Sequence, residues 1–74
     1  MKRLWFSDMR NARGLSQSAL ARLMAVDVRT ISRWEAGVST PGRQHRSALA
    51  RLLGGEVLTR LAQEFLAEST EVPA

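Results

Sequence analysis

Seventy-four residues, 45% hydrophobic and 24% charged, suit one small globular domain and are too apolar for a disordered chain. The absence of Cys excludes disulfides and thiolate metal sites, so a small core must hold the fold and a reducing cytoplasm is the expected setting. No apolar run approaches the roughly 20 residues of a membrane-spanning helix, and the N-terminus lacks a signal-peptide core. The net charge of +4 is unevenly placed. Residues 1–55 carry ten Lys/Arg against Asp8, Asp27 and Glu35, a net of +7, whereas residues 56–74 carry Arg60 against four Glu, a net of −3. A basic body with an acidic C-terminal segment points to a polyanion that touches only the first part.

In chain order, the pattern predicts five helices and no strand. The first runs from about Leu4 to Arg13 with Phe6, Met9 and Trp5 inward, and Gly14 closes it in the left-handed region. Ser16 is expected to cap a second helix, Gln17 to Met24, with Leu20, Leu23 and Met24 apolar and Ala21 small enough for a close approach. Asp27 caps the third, Val28 to Ala36, where Ile31 and Trp34 share an inward face and Gly37 ends the helix. Thr40 as cap and Pro41 as first helical residue begin a fourth helix that buries Ala48, Leu49, Leu52 and Leu53. After Gly54-Gly55, a fifth helix from Glu56 to about Glu68 shows Val57, Leu58, Leu61, Ala62, Phe65 and Leu66 at helical spacing. The domain is expected over residues 1–69, with 70–74 as a flexible tail.

About three residues join helices two and three, too few for a side-by-side hairpin, so the two must cross steeply. The stretch from Arg10 to Ala21, with Asn11, Arg13-Gly14-Leu15-Ser16-Gln17 and Leu20-Ala21, resembles the opening of the Xre/Cro/CI-type helix-turn-helix family. Thr30-Ile31-Ser32-Arg33-Trp34-Glu35-Ala36-Gly37 resembles its second half. The likeness spans residues 4 to about 53 and implies an all-α, five-helix, lambda-repressor-like DNA-binding domain.

The resemblance implies a recognition helix, helix three, in the major groove with Val28, Arg29, Ser32 and Arg33 toward the bases. Arg29 or Arg33 suits guanine O6 and N7, with a solvated or phosphate-holding side chain as the alternative, and Val28 suits a thymine methyl. Gln17, Thr30, Ser39, Thr40, Arg43 and Arg46 fall where the family touches the DNA backbone, and the family's Gln also braces the base-reading end of helix three. Arg10 and Glu35 match a structural ion pair. Two departures stand out. Ala25 replaces the usual Gly of the turn, requiring a right-handed or modestly strained backbone, and Ala36 replaces an Asn that contacts phosphate.

His45 has no partner at metal-ligand spacing and reads as a surface residue or phosphate neighbour. No nucleophile set or phosphate loop appears, so no enzyme activity, cofactor or small-molecule substrate is expected. The stripe on helix five is open to two readings: it closes the core, or Leu58, Leu61, Phe65 and Leu66 form a two-fold dimer contact. The resemblance implies double-stranded DNA as partner, a homodimeric repressor that by the family's habit regulates its own operon, and a phage, plasmid or bacterial setting. The rival expectation is an antitoxin-like or adaptor protein whose partner, such as a toxin, sits on helix five or on Leu4 and Trp5.

Overall fold

The computed structural model describes residues 2–70, and within them the chain forms five α-helices and no strand: α1 Leu4–Ala12, α2 Gln17–Met24, α3 Val28–Ala36, α4 Arg43–Leu53 and α5 Glu56–Thr70. Residue 70, expected in the tail, belongs to α5, and the rest of the expected tail, 71–74, lies outside the described residues.

Local chemistry sets the helix boundaries. The Ser16 hydroxyl accepts the Ala19 N–H at 3.0 Å and the Asp27 carboxylate accepts the Arg29 N–H at 2.8 Å, each satisfying an otherwise orphaned first-turn donor. The first three helices end in the same way. Leu15, Val26 and Val38 donate their N–H groups back to the carbonyls of Arg10, Ala21 and Arg33, and the preceding residue in each case is left-handed. At Gly14 and Gly37 this conformation costs little. At Ala25 it does not: φ 57° and ψ 42° put a Cβ in the left-handed region. Of the two conformations open to Ala25, the strained one is adopted, because the double hydrogen bond closing α2 requires it.

The fourth helix starts two residues later than predicted. Gly42 is its cap, Pro41 is buried against the core rather than standing in the first turn, and the Thr40 hydroxyl is engaged elsewhere.

The core gathers one or two side chains from every helix: Phe6, Leu20, Ala21, Ile31, Trp34, Leu49, Leu53, Val57 and Leu61. Trp5, Met9, Leu15, Met24, Val26, Leu52 and Leu58 pack around it. Phe6 meets Trp34 edge-on with centroids 6.3 Å apart, and His45 lies 5.2 Å from Trp34, so His45 is half-buried against an aromatic rather than a plain surface residue. Leu23, on the apolar side read for α2, is exposed. The α5 stripe divides. Val57 and Leu61 are core, which removes Leu61 from the candidate dimer contact, whereas Phe65 and Leu66 stand 68% and 59% exposed beyond the core's edge. No helix among the described residues is long and apolar enough to cross a membrane.

Candidate nucleic-acid interface

Helix α3 separates folding from display. Ile31 and Trp34 enter the core, and Val28, Arg29, Ser32 and Arg33 all stand exposed on the remaining surface. The four predicted readers therefore share one accessible face. Asp27, Arg29, Thr30 and Arg33 line a shallow groove of about 270 Å³ at the N-terminal end of that face. In it the Asp27 carboxylate holds Arg29 twice, through the backbone N–H and through Nε at 3.3 Å. The backbone bond, then the side-chain bond and the neighbouring Arg29 and Arg33 charges, hold the Asp27 carboxyl below its usual range.

The C-terminal end of α3 is fixed by a buried carboxylate. Glu35 sits beside a helix C-terminus, where the macrodipole disfavours an anion, and it is 8% exposed. Arg10 answers it with Nε at 2.5 Å and Nη2 at 3.2 Å. The Ser7 hydroxyl donates at 2.7 Å and the Gln17 amide at 3.0 Å. Burial raises the Glu35 pKa, but the bonds from Arg10, Ser7 and Gln17 and the Arg10 charge outweigh it, leaving the carboxyl below its ordinary range. The predicted Arg10–Glu35 pair is thus present and is the centre of a larger cluster that ties α1, α2 and α3 together. Gln17 braces α3 at its C-terminal end, not at the N-terminal end that the resemblance implies, because the accepting carboxylate is Glu35. One of its two amide protons remains available at the α2 N-terminus.

Ser39, Thr40, Arg43 and Arg46, the expected backbone-contacting residues, are all exposed along the α3–α4 loop and the start of α4. Beneath this loop lies a residue that sequence reasoning missed. Arg3 is 6% exposed, and its guanidinium donates to the Trp34 carbonyl at 2.6 Å, the Ser39 carbonyl at 2.8 Å, the Thr40 hydroxyl at 2.9 Å and both Glu64 oxygens at 3.0 Å. Its backbone N–H also reaches the Glu35 carbonyl at 2.7 Å. The Trp5 indole joins on Glu64 at 3.2 Å. Ser7 was missed as well, although its spacing of three from Arg10 puts both on one face of α1.

A family model described as helix-turn-helix matches residues 7–59, which takes in α2, α3 and the loops around them. The chain belongs to the Xre/Cro/CI-type helix-turn-helix family. It carries a DNA-binding domain of the kind that regulates transcription, and the all-α, five-helix, lambda-repressor-like architecture is that of the family. Comparisons with curated proteins and with solved structures give no match. Within the helix-turn-helix, α2 and α3 pack on each other, with Leu20 and Ala21 of α2 and Ile31 and Trp34 of α3 belonging to the one core cluster. Among the described residues no three His, Cys, Asp or Glu side chains converge as metal ligands would.

Proposed function

We propose that the protein is a homodimeric repressor that reads an inverted-repeat operator with one α3 in each half-site. The observation that carries this reading is the α3 surface, where Val28, Arg29, Ser32 and Arg33 are exposed together while the same helix is anchored from behind by Ile31, Trp34 and Glu35. A rigid helix with two exposed Arg can place a guanidinium fork against guanine O6 and N7, worth about 1–3 kcal/mol of discrimination for each bidentate pair. Val28, 40% exposed, offers a methyl surface to thymine. Gln17, Thr30, Ser39, Thr40, Arg43 and Arg46 set register by holding phosphates, which adds affinity and salt dependence without reading sequence.

Dimerisation rests on the exposed Phe65 and Leu66 with Leu58 at their margin. A single module buries only about 600–1,000 Å² on DNA, and pairing two places their recognition helices about 34 Å apart, one helical turn. Repression then follows from occupying a promoter. Residues 1–69 act as the functional domain.

Selection of bound duplexes from a random-sequence pool, near physiological salt, tests the proposal. Enrichment of an inverted repeat with half-sites about one turn apart is the expected result. Retention with no motif refutes it. The exposed Leu4 gives a second reading some support, since with Phe65 and Leu66 it offers apolar surface to a protein partner such as a toxin. That reading predicts a heteromeric complex in place of an operator-bound homodimer.

A further inference from the structure

Arginine side chains are almost never buried unless paired, and Arg3 is buried with partners in three separate parts of the chain. Trp34 contributes a carbonyl near the end of the recognition helix, Ser39 and Thr40 belong to the loop, and Glu64 belongs to α5. The planar fork of a guanidinium presents donors in fixed directions, so one side chain sets the position of all three.

The bond to Thr40 has a chemical consequence. A threonine hydroxyl owns one proton and two lone pairs, and a guanidinium only donates. With Arg3 Nη2 donating to the Thr40 oxygen at 2.9 Å, the hydroxyl proton has to point away from Arg3. Thr40 is exposed, so an acceptor arriving from solvent can take that proton, and the cation behind the oxygen polarises the O–H bond. The oxygen is prepared as a donor before any anion arrives.

We propose that Arg3 is a positioning residue for DNA binding: without touching DNA, it presets Thr40 as a hydrogen-bond donor to a backbone phosphate and fastens the α3–α4 loop to the end of the recognition helix. The proposal rests on the reading of Thr40 as a phosphate contact. Lysine cannot substitute for Arg3, because a compact ammonium does not span the carbonyls, the hydroxyl and the carboxylate together.

The test compares Thr40→Val, Arg3→Lys and the double variant, each checked for a folded helical spectrum. Binding to a labelled mixed-sequence duplex is titrated by fluorescence anisotropy over a range of KCl concentrations. Thr40→Val should weaken binding about threefold to tenfold, the effect of one hydrogen bond. Arg3→Lys should weaken it at least as much, and adding Thr40→Val to it should cost less than about a further twofold. The dependence of affinity on salt should keep its slope in all three. Independent, multiplying losses overturn the proposal. So does a salt slope shallower by about 0.9 in a charge-removing Arg3→Gln variant, which makes Arg3 itself a phosphate ligand. Wild-type binding by Thr40→Val removes the phosphate role of Thr40, and the proposal with it, while leaving DNA binding through α3 intact. If Arg3→Lys does not fold, Glu64→Gln loosens the same fork from α5. Non-additivity with Thr40→Val is again expected, and additivity again refutes.

Discussion

Replacing Glu35 with Ala removes the acceptor for four hydrogen bonds, from Ser7, Gln17 and two nitrogens of Arg10. The heaviest consequence falls on Arg10, whose side chain is 11% exposed and would keep only the Leu15 carbonyl and the Asn11 side chain as partners. Leaving one member of a buried ion pair uncompensated costs about 3–5 kcal/mol. At about 0.05–0.15 kcal/mol per residue, a chain of this length has roughly 4–11 kcal/mol in total. Glu35→Ala should therefore remove a large part of the stability, read as a shifted urea midpoint by circular dichroism. Because a matched apolar pair avoids the unpaired charge, Arg10→Met with Glu35→Leu should lose less than the sum of the two single changes, with a coupling of about 2 kcal/mol. A coupling below about 0.5 kcal/mol would refute the argument, since the two side chains would then act independently. The acid limb provides a second check. The Glu35 pKa is depressed on folding, so its stabilisation is complete above the ordinary value of 4.5 and is lost as pH falls through the lower folded value. Glu35→Ala should flatten that part of the stability profile.

Four further outcomes follow from the packing and from the α3 surface. Ala25→Gly relieves a left-handed Cβ cost of about 1–2 kcal/mol against an entropic loss of about 0.5–1 kcal/mol, so it should raise the melting temperature by a few degrees; a fall would show that Ala25 is not strained. Leu61→Asp should unfold the domain by burying a charge in the core. Phe65→Asp should leave it folded and lower its mass in analytical ultracentrifugation from dimer to monomer, and an unchanged mass would place any dimer contact elsewhere. Arg33→Ala should relax base preference at one position per half-site, whereas a uniform loss over all sequences would make Arg33 a phosphate ligand.

Much of the architecture was legible because it is locally encoded. Ser16 and Asp27 are caps by their own chemistry, and Ile31 and Trp34 declare an inward face by spacing. The start of α4 was misread because Thr40-Pro41 satisfies a local rule that long-range contacts override: Arg3 takes the Thr40 oxygen and the core takes Pro41. Arg3 itself left no local trace, since its side-chain partners lie 31 to 61 positions away and a basic residue near a chain end looks solvated. Periodicity on α5 identified the apolar stripe but carried no mark of where the core stops, which is why Leu61 and Phe65 looked alike. In the site, the shared face of the four readers was visible from helical geometry. The turn of Gln17 toward Glu35 was not, because it depends on how α2 crosses α3.

The division of labour along α3 also bears on how such a protein can change. Val28, Arg29, Ser32 and Arg33 belong neither to the core nor to the apolar side chains packed on it, and the one side-chain bond among them, Arg29 with Asp27, is exposed. Exchanging them carries almost no folding penalty, because surface substitutions away from caps and networks typically shift stability by only about 0.5 kcal/mol. Ser7, Arg10, Gln17 and Glu35 are the opposite case, since the first three all donate to the one buried Glu35 carboxylate and lose that shared partner if it is altered. New target preferences are thus open to this scaffold by single surface changes, while the frame that aims them is held to its present residues.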